Sequence, residues 1–395
     1  MTIPAPFLSQ GPLAGITVID MTHVLSGPYA TLILRHLGAR VIKIERPCFG
    51  DDARSFGPFM EGKSTYFQAI NGGKESIVID LDKEDDRHLL HKLLTSADML
   101  VENFRPGVLQ RYELDYVSLH RLYPRLIYGS VTGFGQTGPY RNRPAYDIVV
   151  QAMSGLMSVT GQPGGRPTRA GVSIGDMAAG LYLAIGLCAA IYERTLTGGG
   201  RYIDVAMFDC QVALLENLLA DYTATGVLPQ PLGTQHPSIA PFSVFRAVDT
   251  SMVIAAANDS LFNKLCCAVE RQDLLQDRRF HTNELRHKHV AALTLELERT
   301  LSTKSARQWI DCLQRAGVPC GPVNTLDEVI HDSQLAARGM ILPISGDATG
   351  QLRIAGNPIK MDGVTDAALA LPSPDLDADR DRLIHEFSGT EAHTS

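Results

Sequence analysis

The chain has 395 residues, of which 45% are hydrophobic and 20% charged, with a formal net charge of −7. That composition excludes a disordered chain and a generally basic, nucleic-acid-binding surface, and the length is enough for two domains. Seven scattered cysteines with no CxxC pair argue against a disulfide framework or a zinc site, so no metal is expected and a reducing compartment fits.

The first residues, Met1-Thr-Ile-Pro-Ala-Pro6, lack the charged and apolar regions of a signal peptide. The longest apolar stretch, Gly180–Ile191, is too short to cross a bilayer. The expectation is a cytoplasmic protein without a membrane partner.

Gly15–Asp20 is a β-branched run and predicts a buried strand. Ser26-Gly27-Pro28 predicts a helix start with a Ser N-cap, and the helix runs to about Leu37 before Gly38. Arg40–Glu45 predicts a second strand, giving a βαβ unit with a parallel pair. The GxGxxG turn of dinucleotide folds is missing there, which disfavours a nicotinamide enzyme. Ser76–Asp80, Met99–Val101 and Leu126–Thr132 read as further strands, and Glu84–Ala97 as a helix with Leu89, Leu90, Leu93 and Leu94 on one face. The fold class is α/β, with helices on both faces of a mainly parallel sheet.

In such sheets ligands bind beyond the carboxyl ends of strands, here Met21–Gly27, Arg46–Arg54, Asn103–Gly107 and Gly133–Tyr146. These loops carry Arg46, Arg54, Arg105, Arg141 and Arg143. Five guanidinium groups facing one crevice would suit a polyphosphate ligand. Asp51-Asp52 has no third metal ligand nearby in sequence and reads as a solvated loop.

Arg169-Ala-Gly-Val-Ser-Ile-Gly-Asp176 is a small, glycine-bearing loop that delivers one carboxylate to the start of an apolar run, Met177–Ala190. A helix apolar on all sides must be buried. Asp176 there is either a plain N-cap or a nucleophile. A carboxylate can attack a thioester carbonyl, giving a mixed anhydride and a thiolate, which can then attack the aspartyl carbonyl. Backbone N–H groups of the loop would stabilise the oxyanions.

Further on, Gly198–Ala206 predicts a turn and a strand, and Phe208–Tyr222 a helix. Residues 225–245 change character and mark a domain boundary. Ser251–Ala257 predicts a strand, Ser260–Val269 a helix, and 282–316 amphipathic helices, forming a smaller α+β domain. Leu352–Lys360 predicts a strand pair and Asp379–Phe387 a helix. The expected domains are 1–225, completed by about 340–395, and 226–330. His236, before Pro237, is either a base or a structural loop residue. Cys266 and Cys267 read as buried small hydrophobes.

Several motifs carry a family resemblance: Val18-Ile-Asp-Met-Thr-His-Val-Leu-Ser-Gly-Pro28, Leu37-Gly-Ala-Arg-Val-Ile-Lys-Ile-Glu45, Ala97-Asp98, Val101-Glu-Asn-Phe-Arg-Pro-Gly107, Pro124-Arg-Leu-Ile127, Gly133-Phe-Gly-Gln-Thr-Gly-Pro139 and Gly175-Asp176. Together the chain resembles the class III CoA-transferases, also called the formyl-CoA:oxalate CoA-transferase or CaiB/BaiF family. The resemblance implies an interlocked-ring homodimer, each chain with a Rossmann-like large domain and a small domain. It implies a catalytic aspartate matching Asp176, working through aspartyl anhydride and aspartyl-CoA thioester intermediates. It places CoA contacts at positions matching Leu25, Ser26, Arg46, Ile79, Asp80, Leu81, Asp82, Asn103, Phe104, Arg105, Arg111, Arg143, Pro144, Ala145 and Tyr146. It implies CoA thioesters as substrates and no prosthetic group.

The family's formyl-CoA:oxalate members carry Gln where this chain has Leu25, and a glycine-run lid where it has the segment around His236. Met21-Thr-His-Val24, Gly50–Gly57, Gly73–Ser76, Pro144–Asp147, His236-Pro237, Ala240–Phe242, Asn258-Asp259 and Leu261-Phe262 resemble an acetyl-CoA:oxalate subgroup instead. That implies acetyl-CoA and oxalate as partners. The alternatives are a related transferase using formyl-CoA or succinyl-CoA, an α-methylacyl-CoA racemase, or a non-catalytic acyl-CoA-binding subunit. Racemases of the fold place His before Asp where this chain has Tyr146-Asp147, and a phenol is a poor base.

Overall fold

The structure is a computed structural model that describes residues 11–344, 352–362, 364 and 370–387. The chain divides into two compact units. The first comprises Met1–Leu156, Arg169–Thr225 and Ser333–Ser395; the second comprises Met157–Thr168 and Gly226–Asp332. Met157–Thr168, expected in the large domain, thus belongs to the second unit, where Gly161 accepts a hydrogen bond from the Gly233 N–H at 2.8 Å.

The first unit is built on six strands, all paired in parallel. They are β1 (Thr17–Met21), β2 (Arg40–Glu45), β3 (Glu75–Val78), β4 (Met99–Glu102), β5 (Ile127–Thr132) and β6 (Tyr202–Ala206). Their spatial order is β3-β2-β1-β4-β5-β6, the order of the doubly wound dinucleotide-binding sheet. The alternation of side chains along each strand explains why both faces are covered. Val18, Val41, Met99, Val101 and Val131 join one core, and Ile19, Ile42, Ile44, Ile77 and Leu100 join the other. The first core is closed by helices α1 (Ser26–His36) and α4 (Ile174–Thr197). The second is closed by α2 (Glu84–Thr95) through Leu90, Leu93 and Leu94, with Leu383 and Phe387 of the last helix, Arg380–Phe387.

Helices α1 and α4 approach closely because Gly180 has no side chain: a Cβ there would lie 2.7 Å from the Ser26 carbonyl oxygen. This contact sets Ser26 against the first turns of α4. Gly198, at φ +77°, ends α4 in the left-handed conformation that suits glycine.

Within one chain α4 is not buried on all sides, contrary to the expectation from its composition. Ala178, Ala179, Leu183, Ala184 and Leu187 face the core, while Leu181, Tyr182, Ile185, Tyr192 and Leu196 are exposed. Among the described residues it is the one helix long and apolar enough to cross a membrane. The expected single helix over 208–222 is broken into α5 (Met207–Ala213) and Leu218–Thr225, with Glu216 between them at φ +54°. Arg353–Ala355 pairs with Ile341–Pro343, so Leu352–Lys360 supplies one strand and not a pair.

The second unit has a three-stranded antiparallel sheet of β7 (Phe242–Arg246), β8 (Ser251–Ala255) and β9 (Cys320–Pro322), with β8 central. Phe245, Ile254, Leu265, Leu297 and Trp309 form its core against helices Asp259–Ala268, Val290–Leu301 and Ala306–Arg315. Cys266 lies in that core, but Cys267, one residue on along the helix, points to solvent.

Candidate active site

Asp176 is the third residue of α4 and not its N-cap; Ser173 holds the cap position. The capping role belongs to Asp147, the first residue of helix α3 (Asp147–Met153). One Asp147 carboxylate oxygen accepts the Gly175 N–H at 2.7 Å, and the other accepts the Gln151 side-chain amide at 2.6 Å. Gln151 in turn accepts the Ala170 N–H at 2.9 Å, so the loop leading into α4 is pinned at both ends. Gly175 is required here: a Cβ would stand 2.9 Å from the Asp147 oxygen.

With its neighbour carrying the cap, Asp176 is left to face a cavity. Burial, then the negative charge of Asp147, push its carboxyl up to about 7, while a hydrogen bond with the Ser26 side chain acts in the opposite sense. The raised value suits a carboxylate held ready for chemistry instead of salt-bridged for stability.

The wall opposite Asp176 is the β1–α1 turn. Val24 adopts φ +65°, a left-handed backbone that a β-branched residue rarely takes. The turn is latched from several sides. The Val24 N–H donates to Asp51 Oδ1 at 3.0 Å. Asn103 grips His23 twice, accepting its N–H at 2.8 Å and donating to its carbonyl at 2.9 Å. Lys43 donates to the Thr22 carbonyl at 2.7 Å and pairs with Asp51 at 2.9 Å, both side chains fully buried. Behind them Asp20 pairs with Lys74 at 2.9 Å and accepts hydrogen bonds from Thr22 and Thr31. These cations hold the Asp20 and Asp51 carboxyls below the ordinary carboxylate range despite burial. Asp51 is therefore the anchor of a strained turn, and the reading of Asp51-Asp52 as a solvated loop holds only for Asp52, which pairs with Arg46 at the surface.

Two neighbouring cavities collect most of the expected site residues. One, of about 350 Å³, is lined by Leu25, Ser26, Asn103, Phe104, Arg105, Arg143, Pro144, Ala145, Tyr146 and Asp176, together with Arg141. The other, of about 280 Å³, is lined by Arg46, Ile79, Asp80, Leu81, Asp82 and again Phe104. Phe104 is common to both and packs edge-on against His23, with ring centroids 4.9 Å apart. The loops beyond β1, β2, β3, β4 and β5 thus contribute to one continuous set of walls.

Not every expected residue joins them. Arg54 is drawn away by Glu45, at 2.7 and 2.6 Å, and lies over the Phe67 ring, so it braces the fold. Arg111 lies beside Tyr112 and lines neither cavity. His236 belongs to the second unit, where its ring accepts the Ser238 N–H at 3.1 Å and packs on Phe242. Asp147 is a further residue of this site, and its pairing with Gln151, four residues on along one helix face, is the sequence signal for it.

Residues 13–380 match CoA-transferase family III. The chain is 44% identical over 393 residues to the acetyl-CoA:oxalate CoA-transferase of Acetobacter aceti, covering 99% of this chain and 100% of that one. It is 37% identical to the succinate–glutarate CoA-transferase of Agrobacterium fabrum, covering 96% of each. A crystal structure of a CAIB/BAIF family protein from Brucella suis superimposes with a TM-score of 0.86 at 38% identity, over 95% of this chain and 99% of that one. The match runs along nearly the whole length of the chain in sequence and in structure, and the chain belongs to CoA-transferase family III.

Proposed function

We propose that the chain moves CoA from acetyl-CoA to oxalate, giving oxalyl-CoA and acetate, with Asp176 as the nucleophile. The observation that carries this is Asp176 itself, a carboxylate raised to about 7 and facing a cavity walled by Arg105, Arg141 and Arg143. The partner acids come from the relative at 44% identity. The ionised carboxylate attacks the thioester carbonyl; the C–S bond breaks, leaving an acetyl-aspartyl anhydride and CoA thiolate. The thiolate attacks the aspartyl carbonyl and releases acetate. Oxalate then repeats both steps in reverse.

In this reading Leu25, Ser26, Asn103, Arg105 and Arg143–Tyr146 hold the pantetheine and phosphate portions. Arg46 and Ile79–Asp82 hold the nucleotide end, and the half-buried Phe104 separates the two cavities. Mass spectrometry of CoA esters after incubation with acetyl-CoA and oxalate tests the substrates. Oxalyl-CoA is the expected product. Turnover of succinate or glutarate with none of oxalate would replace the acceptor.

The exposed apolar stripe of α4, Leu181, Ile185, Tyr192 and Leu196, supports a homodimer in which a second copy covers it. Sedimentation at micromolar concentration should give twice the chain's mass, and a monomer there would remove the dimer from this reading.

A further inference from the structure

A third cavity, of about 530 Å³, meets the first at Asp176 and also touches Val24, Asp52 and Tyr146. Its walls carry one cation, Arg169, and the hydroxyls of Tyr66, Ser55 and Ser173. The Arg169 guanidinium lies 3.8 Å from Asp147, beyond hydrogen-bond range, and its side chain is 45% exposed. The Asp147 oxygens accept from Gly175 and Gln151 at 2.7 and 2.6 Å, and Arg169 pairs with Asp147 only loosely, without a hydrogen bond between them. The forked donors of Arg169 are therefore available beside the nucleophile.

We propose that Arg169 holds the distal carboxylate of the acceptor and so favours dicarboxylic over monocarboxylic acids. The assignment rests on the transferase reading above. The acceptor's near carboxylate oxygen attacks the aspartyl thioester carbonyl; a C–O bond forms, the C–S bond breaks and CoA leaves as thiolate. The thiolate then attacks the acceptor carbon of the anhydride, forming the new C–S bond and returning Asp176 as carboxylate. Neither step uses the distal carboxylate, which must stay charged and out of the reaction. A planar, permanently charged guanidinium grips it by two parallel hydrogen bonds.

Tyr66 supports the same picture. Burial and then the charges of Asp176, Asp51 and Asp147 push its phenol up to about 12, so it remains a hydrogen-bond donor near neutral pH. The cavity exceeds what oxalate fills, so Arg169 sets the class of acid and leaves chain length to other contacts.

The test compares two acceptors on one enzyme. Oxalate needs the clamp; isotope exchange between labelled acetate and acetyl-CoA uses Asp176 but has no distal carboxylate to hold. Arg169→Met should lower kcat/KM for oxalate by about 30-fold or more, chiefly through KM. It should lower acetate exchange by less than about threefold, and Arg169→Lys should restore part of the oxalate reaction. Arg169 is half exposed, and thermal unfolding of the variants checks that they remain folded. An equal fall in both reactions, or no fall with oxalate, would overturn the clamp. Wild-type protein that exchanges acetate but accepts only monocarboxylates would also overturn it. Wild-type protein lacking both reactions would overturn the transferase reading and this assignment with it.

Discussion

Asp176→Asn should abolish CoA transfer, lowering turnover by about 10⁴-fold or more, because it removes the atom that forms the covalent bond. Asparagine keeps the shape of the side chain but has no oxygen able to attack a thioester. Wild-type protein incubated with acetyl-CoA and quenched with hydroxylamine should carry a hydroxamate on the peptide containing Asp176, and the variant should carry none. Turnover persisting in the variant would move the chemistry to another group.

The same residue predicts a pH profile. With its carboxyl at about 7, kcat/KM should rise through neutral pH and level off above it, since only the ionised form attacks. Asp147→Asn removes the neighbouring charge that helps raise it, so the acid limb should move to lower pH. The sign for stability is the reverse. A carboxyl raised on folding binds its proton more tightly in the native state, so stability falls as pH rises from about 4 to about 7. Asp176→Asn should therefore stabilise the fold at pH 8, by about 2 kcal/mol after allowing for the partial exposure of the group, and by little at pH 4. Thermal melts at the two pH values read this directly.

Most of the large unit was legible because its signals are local. β-Branched runs marked the parallel strands and Gly38 marked a helix end, whereas the helix after Asp176 runs on to Thr197, beyond the apolar run that ends at Ala190. Asp176 stood out because small residues deliver it to a long apolar helix. What escaped the sequence depends on distant partners. Asp51 looks solvated in a run of polar residues, and only Lys43 of β2 and the N–H of Val24 make it an anchor. Arg54 looks like a ligand-binding arginine until Glu45 and Phe67 claim it. The outer face of α4 is as apolar as its inner face, so composition alone could not separate the side that packs on the sheet from the side that does not. The break after α5 has no proline or glycine to announce it; Glu216 takes the left-handed turn.

Asp51→Ala should cost about 3–5 kcal/mol of stability, because it leaves the fully buried Lys43 ammonium without its closest counter-charge. Asp20 and the Thr22 carbonyl remain near Lys43 but are already engaged, by Lys74 and by the lysine itself. The loss has a second part. Asp51 Oδ1 accepts the Val24 N–H, and a β-branched residue at φ +65° costs about 1–2 kcal/mol that some contact must offset. Without that contact the turn is free to relax, and with it the wall of the cavity facing Asp176. Asp51→Asn keeps the acceptor for Val24 while losing the charge, so it should lose stability but retain more activity per folded molecule than Asp51→Ala. Adding Val24→Gly to Asp51→Ala should recover part of the stability, since glycine takes positive φ without strain. Denaturant midpoints for the three variants, with kcat/KM measured where each is fully folded, separate the two parts. A stability loss under about 1 kcal/mol in Asp51→Ala would show that the buried pair does not hold this turn, and the left-handed Val24 would then have to be sustained by the two hydrogen bonds between Asn103 and His23 and by Lys43 on the Thr22 carbonyl.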